Sequence, residues 1–531
     1  MLKLVRFYSS LAKVFLSRNK KWVSYSLVVL LIGTFLVRII LPTIFPKLVS
    51  IASEFQKPTF IEGVVGTPVY PNPIFDTTQT QRDISGLVYR GLAKIKTSGE
   101  LELDLAERFE KRTDKEYVFY LKKGIFWHDG TQFTADDVVY TVVTAQDPQF
   151  KSSISSNFKG VVAEKIDAYT VKFSLEEPFS PFPQAATIGI IPKHVSLKNF
   201  KPVGTGLFKV KKIDSTKIIL ANEKLNLVFK FYSSIQDAKN ALRLGEIHAL
   251  GGVSPQEAQE LERFGGKHIY SKPLSFRQVV VFFNLNNENL KSKDFRQGLA
   301  YLIDKKELLE TIDGSSAEVS TSQLPLFSWV GKQTEMFPRD LKKAKDNLQK
   351  AGLKLNNNVW MNDRGQVTIS VTSVDDPELN SVVNFLQNSW NQYGVKTSSN
   401  IISPETLRND ILPSRNFEVL VDFQKISPDP DQDVLWHSTQ TNNANITGVK
   451  SAKLDKILED ARVISNEEKR KEKYKLFTQL LLDEAPAIFL YYPQYYWAVS
   501  QKVAGIDLLD FTNSGDRFNS YSNWKIRRKF F

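Results

Sequence analysis

The chain has 531 residues, of which 42% are hydrophobic and 12% aromatic, and this composition predicts a folded protein large enough for more than one domain. It contains no cysteine, which excludes disulfides, thiolate metal sites, a cysteine nucleophile and a lipid-modified cysteine anchor. The net charge of +12 comes almost entirely from the two ends, so the nearly neutral body lacks the clustered basic face that nucleic-acid binding requires.

A basic segment, 1–21, precedes an apolar run of membrane length, 22–45, which is interrupted only by Arg38. Because the first segment carries six basic residues and no acid, it predicts a cytoplasmic N terminus and export of everything after residue 45. No small-residue cleavage site follows, so we expect an uncleaved single-pass transmembrane anchor and then a linker, 46–58. Arg38 is placed to reach the membrane interface, with a functional role inside the membrane as the alternative.

The exported part alternates strand-like and helix-like segments, which predicts a mixed α/β body with more than one domain. The strand candidates are rich in β-branched and aromatic residues: TFIEGVV, YVFYL, TVKFSL, KIILA, RQVVVFFNL and QVTISVT. The helix candidates are one helix capped by Asp294, a segment over 338–352, and two further segments over 451–464 and 466–484.

The stretch IFWHDGTQFTADDVVYT, 125–141, sets a histidine beside several carboxylates. Asp129 and Gly130 form a turn dipeptide, which predicts that His128 lies on a hairpin. Thr134 and, three residues later, Asp137 fit the capping box of a helix, and acids in a first turn are favoured by the helix dipole without any chemistry. We therefore interpret the stretch as scaffold, with a catalytic centre as the alternative.

Motifs of enzymes and of cofactor sites are missing: there is no serine-nucleophile elbow, zinc-protease motif or P-loop, and the five histidines are scattered. The stretch VGTGLFKV, 203–210, lacks the third glycine of a dinucleotide loop and leads into a strand, which predicts a turn. The aspartates from Asp429 onward are spaced like the start of a calcium loop. However, Val434 stands where glycine is needed and Gln440 where glutamate is needed, so an acidic turn is favoured over a metal site.

Taken in chain order, these segments resemble the peptide and nickel class of bacterial extracellular solute-binding proteins, known as family five. The strongest part is 87–141, LVYRGLAKIKTSGELELDLAERFEKRTDKEYVFYLKKGIFWHDGTQFTADDVVYT. Further matches follow in the right order: PVGTGLFKV, FFNLNNENLKSKDFRQGLAYLIDKKEL, DPDQDVLWHS, KLDKILEDAR and DEAPAIFLYYP.

The resemblance implies an α/β fold with two lobes, a clamp of the periplasmic-binding-protein type with an extra inserted domain and a ligand cleft at the hinge. On this chain, lobe 1 would combine 56–75, 205–278 and 495–531, the inserted domain would be 76–204, and lobe 2 would be 279–494. Ligand that bridges both lobes would stabilise a closed form that a membrane partner can recognise.

The resemblance also places two loops at the ligand. The implied ligand-binding residues are Thr67, Pro68, Val69 and Tyr70 on one side and Phe423, Asp429 and Trp436 on the other. For each aromatic residue, ordinary core packing is the alternative. Peptide-binding members hold an extended peptide through backbone groups, as an added strand.

One departure from the family pattern concerns the peptide's ammonium group. Peptide-binding members commonly carry a tryptophan six residues, and an aspartate three residues, before the aspartate of the Asp-Pro pair; here these positions hold Phe423 and Ile426. A buried ammonium without a counter-charge is strongly disfavoured. Either the amine stays in water, or Asp422 or Asp429 replaces the acid, or the ligand has no free amine. The apolar Ile426 favours the first or the third alternative.

The leading hypothesis is a membrane-anchored extracellular substrate-binding protein of an ABC transporter, which captures oligopeptides or dipeptides for import. We expect a monomer with permease subunits as partners, without a cofactor, metal or catalytic residue. The alternative is a membrane-tethered sensor or adhesion subunit that uses the same clamp without transport. An exported hydrolase is disfavoured because no pair of nucleophile and base is recognisable.

Overall fold

The computed structural model describes residues 57–527 except 199, 314–316, 443 and 510, together with four isolated residues nearer the N terminus. The predicted anchor, 22–45, lies outside the described residues except for Tyr25 and Gly33. No helix among the described residues is long and apolar enough to span a membrane. The chain divides into two compact units, Met1–Thr59 and Phe60–Phe531.

The strands, in chain order, are β1 Thr59–Val65, β2 Ala93–Ile95, β3 Leu101–Leu103, β4 Ala106–Thr113, β5 Glu116–Leu121, β6 Val161–Asp167, β7 Thr170–Leu175, β8 Lys209–Ile213, β9 Lys217–Ala221, β10 Asn226–Tyr232, β11 Ala249–Val253, β12 Lys267–Pro273, β13 Arg277–Phe283, β14 Glu318–Val319, β15 Lys354–Asn356, β16 Val359–Asn362, β17 Gly365–Gln366, β18 Thr368–Val374, β19 Lys396–Ile402, β20 Val419–Lys425, β21 Ala487–Tyr492, β22 Gln494–Ser500, β23 Val503–Ala504 and β24 Lys525–Ile526.

The α-helices are α1 Gln79–Val88, α2 Ala135–Gln146, α3 Ile235–Leu244, α4 Pro255–Arg263, α5 Lys293–Tyr301, α6 Lys305–Asp313, α7 Leu341–Lys350, α8 Pro377–Gln392, α9 Pro404–Thr406, α10 Leu412–Ser414, α11 Asp433–Trp436, α12 Ala452–Val463 and α13 Glu467–Glu484.

A seven-stranded sheet, ordered β12-β22-β11-β1-β10-β9-β8, forms the body that we call lobe 1. Residues alternate between its two faces, as the pleat requires. Leu250 and Ala498 pack under α3 and α4, whereas their neighbours Ala249 and Trp497 face a second core on the other side. The sheet is therefore covered on both faces.

A six-stranded sheet, ordered β14-β21-β13-β20-β18-β19, forms lobe 2. In β13, Val279 and Val281 belong to one core and Val280 and Phe282 to the core on the opposite face. Because both faces are buried, the strand is continuously apolar, which explains why RQVVVFF shows no alternation of polar and apolar residues.

A four-stranded antiparallel sheet, ordered β4-β5-β7-β6, and the helix α2 that packs against it form the part that we call the inserted domain. Phe119, Val138 and Phe173 from this domain belong to the same core as Phe60 and Trp497 of lobe 1. The inserted domain and lobe 1 therefore share one continuous apolar core.

The predicted capping box of Thr134 and Asp137 is confirmed at the start of α2. His128 bonds to the backbone: its Nε2 lies 2.9 Å from the carbonyl oxygen of Gly206, and its Nδ1 accepts from the N–H of Gly204 at 3.3 Å. Burial lowers the pKa of His128, which favours the neutral imidazole that can accept this bond. A Cβ on Gly204 would lie 1.7 Å from the carbonyl oxygen of Val88, so this turn requires glycine.

The predicted single helix capped by Asp294 is wrong. Ser292 is the N-cap, since its hydroxyl accepts from the N–H of Phe295 at 3.2 Å, and α5 ends at Tyr301. The helix α6 then starts anew because the carboxylate of Asp304 accepts from the N–H of Lys306 at 3.0 Å. An aspartate that bonds to nearby backbone N–H groups favours a new cap over a continued helix.

The chain crosses between the sheets of the two lobes at two adjacent points, 274–276 and Pro493. The N–H of Leu274 donates to the carbonyl oxygen of Pro493 at 2.9 Å, which joins the crossings. The loop after β20 lies beside them, because the N–H of Ile426 donates to the carbonyl oxygen of Phe276 at 2.9 Å. Two lobes joined by short adjacent connections have the geometry of a hinge.

Candidate functional site

The loop after β1 contains the four residues predicted at the ligand from lobe 1. Gly66 begins it with a φ of +122°; Thr67, Val69 and Tyr70 are exposed and Pro68 is half-buried. Since β1 runs parallel to β11, this loop leaves the sheet at the carboxyl ends of parallel strands, where open α/β sheets bind ligands.

A buried charge cluster links Glu62 of β1, from which this loop starts, to Asp83 and Arg517. The carboxylate of Glu62 accepts from Arg517 Nε at 3.2 Å and from Trp497 Nε1 at 3.1 Å, and Arg517 also donates to Asp83 at 2.6 Å. Burial raises the pKa of Glu62, while Arg517 opposes this rise. The cluster ties β1 and α1 to the C-terminal segment, so it fixes the position from which the loop starts.

On the lobe 2 side, Phe423 lies near the end of β20 and is half-buried. The guanidinium of Arg277 lies over its ring, 3.8 Å from the ring centre. This contact is a cation–π pair in which the exposed Arg277 covers the phenyl face.

Trp436 is 2% exposed and donates from Nε1 to Gln432 at 2.9 Å. With Phe423 it lines a cavity of about 290 Å³, whose other walls include Phe282, Leu435 and Gln424. The Gln424 side-chain oxygen is buried and has no hydrogen-bond partner among the residues that the structure describes. The cavity is therefore mostly apolar with one unpaired acceptor, a lining typical of small-molecule and peptide side-chain pockets.

Asp429 forms a buried two-pronged ion pair with Arg470, with distances of 2.7 and 2.8 Å. Its carboxylate is thus already bound within the protein. Asp422 is half-buried; its carboxylate accepts from the N–H of Phe423 at 2.7 Å, and burial raises its pKa to about 6. Ile426, at the position of the family's ammonium-binding acid, is 1% exposed.

The aspartates of the loop after β20 are paired with arginines. Arg462 lies 3.0 Å from Asp431 and 3.0 Å from Asp433, beside the pair of Asp429 and Arg470. No group of carboxylates and histidines within the described part of the chain is arranged to hold a metal ion. These aspartates and arginines therefore form ion pairs that fix the turn after β20.

The inserted domain contacts lobe 2 through the segment between α12 and α13. The N–H of Ser180 donates to Arg462 O and its hydroxyl to Ile464 O, each at 2.8 Å. The Ser465 hydroxyl donates to Asp114 at 2.6 Å and accepts from Lys111. These contacts border a cavity of about 530 Å³ lined from both sides, by Tyr117 and Gln184 on one and by Trp329 and Arg470 on the other.

Sequence reasoning found Phe423 and Trp436, which line one cavity, and the exposed loop with Tyr70. It did not find Arg277, Gln424, Arg470 or Arg517, because an arginine or glutamine in the sequence does not indicate its distant partner. The seven predicted residues remain predictions as ligand contacts.

Comparison with known proteins agrees with this architecture. A profile described as "Bacterial extracellular solute-binding proteins, family 5 Middle" matches residues 100–445. The oligopeptide-binding protein AppA of Bacillus subtilis is 26% identical over 486 residues, which cover 84% of this chain and 88% of the relative. The dipeptide-binding protein of Pseudomonas aeruginosa is 22% identical over 505 residues, which cover 85% of this chain and 92% of the relative.

A solved structure of the same B. subtilis AppA, in complex with a nonapeptide, superposes with a TM-score of 0.70 at 25% identity. The superposition covers 89% of this chain and 100% of the AppA chain. The two lobes and the paired crossings between them define a solute-binding protein of the clamp type. The chain belongs to family 5 of the bacterial extracellular solute-binding proteins, which are binding proteins and not enzymes.

Proposed function

We propose that this protein is the substrate-binding subunit of an ABC importer and that it captures peptides between lobe 1 and lobe 2. The observation that carries the proposal is the hinged pair of lobes with an apolar cavity, lined by Phe423 and Trp436, on one of them. The likeness over most of the chain to an oligopeptide-binding protein, and to its structure with a nonapeptide, supports peptides as the ligand class.

The proposal assigns lobe 1 to 56–75, 205–278 and 495–531, the inserted domain to 76–204 and lobe 2 to 279–494. The ligand would contact Thr67, Pro68, Val69 and Tyr70 from lobe 1 and Phe423 and Trp436 from lobe 2. Asp429 would contribute to the site by positioning the loop after β20, since its carboxylate is bound to Arg470.

The proposal further includes a single-pass anchor over 22–45 with a cytoplasmic N terminus, a monomeric state and docking onto permease subunits. Support for the anchor comes from the six basic residues before the apolar run. Protease added to intact cells should release the large domain, and protection of that domain would contradict the orientation.

Native mass spectrometry of the gently purified full-length protein tests the ligand class. We expect retained peptides, which exchange for added peptide, and uptake of labelled peptide that is lost when the gene is deleted. Retained peptide without any effect on uptake would favour the sensor alternative. Hydrolysis of the added peptides would refute a binding-only role.

A further inference from the structure

Two large apolar side chains are exposed at neighbouring helix ends on one edge of lobe 1. Leu244 ends α3 and is 71% exposed, and Phe264 follows α4 and is 62% exposed. The guanidinium of Arg243 lies 4.0 Å from the centre of the Phe264 ring, so the two helix ends are adjacent. Exposed apolar side chains that are grouped in this way mark interaction surfaces more often than single scattered ones do.

Several cations lie beside these helix ends. Burial and the charges of Arg243 and Lys502 lower the pKa of Lys267, which starts β12. The ammonium of Lys502 lies close to the residue after α3, because a Cβ on Gly245 would be 3.6 Å from Lys502 Nζ. The N–H of Arg527 donates to the carbonyl oxygen of Lys502 at 2.9 Å, which brings the C-terminal segment to the same edge. We call this surface the basal patch, and it consists of Leu244, Phe264, Lys267, Lys502, Lys525 and Arg527.

Two acids at this edge are paired with cations outside the basal patch. Glu246 lies 2.9 Å from Lys230, and Glu260 pairs with Arg243. Glu262 is exposed near the end of α4 and opposes the four cations of the basal patch with one charge. Positive charge therefore predominates beside the two exposed apolar side chains.

The first strand of lobe 1 starts at the same edge of the sheet. The N–H of Ile61 donates to His248 Nδ1 at 3.0 Å. The carbonyl oxygen of His248 accepts from the N–H of Ser500 at 2.7 Å, two residues before Lys502. The loop predicted at the ligand leaves the opposite, carboxyl end of β1. The basal patch is therefore separate from the proposed ligand cleft.

The sequence beyond this edge has a composition suited to membranes at both ends of the chain. Residues 46–58 lead from the apolar run, 22–45, to β1, and a chain of this length reaches at most about 45 Å. The last four residues, RKFF, follow Arg527 and lie outside the described residues. Basic side chains beside leucine and phenylalanine are typical of segments that lie on anionic lipid headgroups.

We propose that the basal patch is a second membrane contact, which lies on the anionic phospholipid headgroups at the outer face of the membrane. The inference rests on the anchor of the proposed function and adds an orientation to it. The lysine and arginine side chains pair with lipid phosphates, and Leu244 and Phe264 enter the headgroup region. The contact directs the ligand cleft away from the bilayer, since the loop after β1 leaves the opposite end of the sheet.

Site-specific labelling tests the proposal, because the chain contains no cysteine and one introduced cysteine is a unique site. Gln501→Cys places a fluorophore at an exposed position beside Lys502, and Lys354→Cys places one on β15 of lobe 2 as the remote control. Full-length protein is reconstituted into phosphatidylcholine vesicles with or without phosphatidylglycerol, both of which contain lipid with a headgroup quencher. Flotation measures association with the vesicles, and quenching reports how close the fluorophore lies to the headgroups.

In vesicles that contain phosphatidylglycerol, we expect the label at 501 to be quenched at least about threefold more than the label at 354. Salt at about 0.5 M should remove most of this difference, because it screens the charges. Vesicles of phosphatidylcholine alone should show little difference between the two labels, since they lack the anionic headgroups.

Variants of the basal patch separate its two components. Lys267→Gln/Arg527→Gln should lower the ratio of quenched to unquenched label at 501 at least about fivefold, since each basic residue contributes about this factor at an anionic surface. Leu244→Ser/Phe264→Ser should lower the ratio as well, because it removes the apolar side chains that enter the headgroup region. The controls, Lys396→Gln in lobe 2 and Phe126→Ser in the inserted domain, change exposed residues elsewhere and should leave the ratio unchanged.

Flotation with equal quenching of the two labels, or unchanged quenching in both double variants, would overturn the basal patch while the anchor stands. Flotation only with phosphatidylglycerol would support the basal patch and overturn the anchor, whereas no flotation with either lipid would overturn both. Loss of iodide access to the label at 501 as protein concentration rises in detergent would assign the surface to a second copy of the chain and overturn its contact with lipid. Peptide retention by the same variants, measured in parallel, tests the binding function separately.

Discussion

The carboxylate of Asp429 and the guanidinium of Arg470 form a two-pronged ion pair, and both side chains are less than 10% exposed, at 7% and 8%. Arg470 also donates from Nε to the carbonyl oxygen of Ala461 at 3.0 Å, so it joins α13 to the end of α12. The pair therefore fixes the loop after β20 against two helices. Asp429 positions this loop through its pair with Arg470, and its contact with ligand stays a prediction.

Arg470→Met should destabilise the protein by about 3–5 kcal/mol, because it leaves the buried carboxylate of Asp429 without a partner. The double variant Arg470→Met/Asp429→Leu should recover most of this loss, since it buries no charge. Urea unfolding of both variants gives the measurement. A loss below about 1 kcal/mol for Arg470→Met would contradict the buried pair.

Two glutamines that are paired across β13 and β20 should respond in opposite ways to replacement by leucine. Gln278 donates from Nε2 to Ser320, Ser322 and Leu324 at 2.7–2.9 Å. The side-chain oxygens of both glutamines have no partner among the described residues. Gln278→Leu should cost about 1–3 kcal/mol because it strands buried partners. Gln424→Leu should be neutral or stabilising by about 1 kcal/mol.

Gln424→Leu should also weaken peptide binding, because it removes the unpaired Gln424 oxygen from the cavity that Phe423 and Trp436 line. Chemical unfolding and calorimetric titration measure the two effects. If Gln424→Leu destabilises as much as Gln278→Leu, the oxygen has a partner in the folded protein and the cavity assignment fails.

Stability should fall with rising pH because of Asp76. The residue is 7% exposed, and burial raises its pKa from 3.8 to about 6. Between about pH 4 and about pH 6 the folded state binds more protons at Asp76 than the unfolded state does, because the pKa is higher in the folded protein. The contribution of Asp76 to the free energy of unfolding is therefore lost as pH rises from about 4 to about 6.

Relative to wild type, Asp76→Asn should therefore gain stability between pH 4 and pH 7, by up to about 3 kcal/mol, since one unit of pKa corresponds to about 1.4 kcal/mol. Thermal unfolding across this range gives the measurement. Asp363→Asn, at an exposed position, serves as the control and should show no such gain. A constant difference between Asp76→Asn and wild type would contradict the raised pKa.

The contact between the inserted domain and lobe 2 should depend on two serines. The pair of changes Ser180→Ala and Ser465→Ala removes the hydroxyl bonds to Ile464 and Asp114, at about 0.5–1.5 kcal/mol each. Hydrogen exchange in 462–466 should become faster, and peptide should dissociate several-fold faster. Ser381→Ala, which removes a bond within α8, should change neither rate. Unchanged exchange in the double variant would show that these bonds do not hold the contact.

Local signals in the sequence were reliable where one element decides the outcome. Asn466 caps α13 and Ser451 caps α12, and apolar side chains of α12, including Leu454 and Leu458, are buried. The prediction of one helix after Asp294 was wrong because Ser292 and Asp304 cap two separate helices. The sequence did not indicate that Asp304 would start a new helix.

By itself, the sequence determined the α/β class, the capping box at Thr134, the hairpin of His128 and the family resemblance, because these depend on residues a few positions apart. Only the tertiary structure decided that Asp429 pairs with Arg470, 41 residues away, and that Arg277 lies opposite Lys425. Strand register and helix packing set these pairs, and both are fixed by burial summed over whole faces of the sheets. A buried charge needs a partner, and the folded core determines which charge is buried and which residue pairs with it.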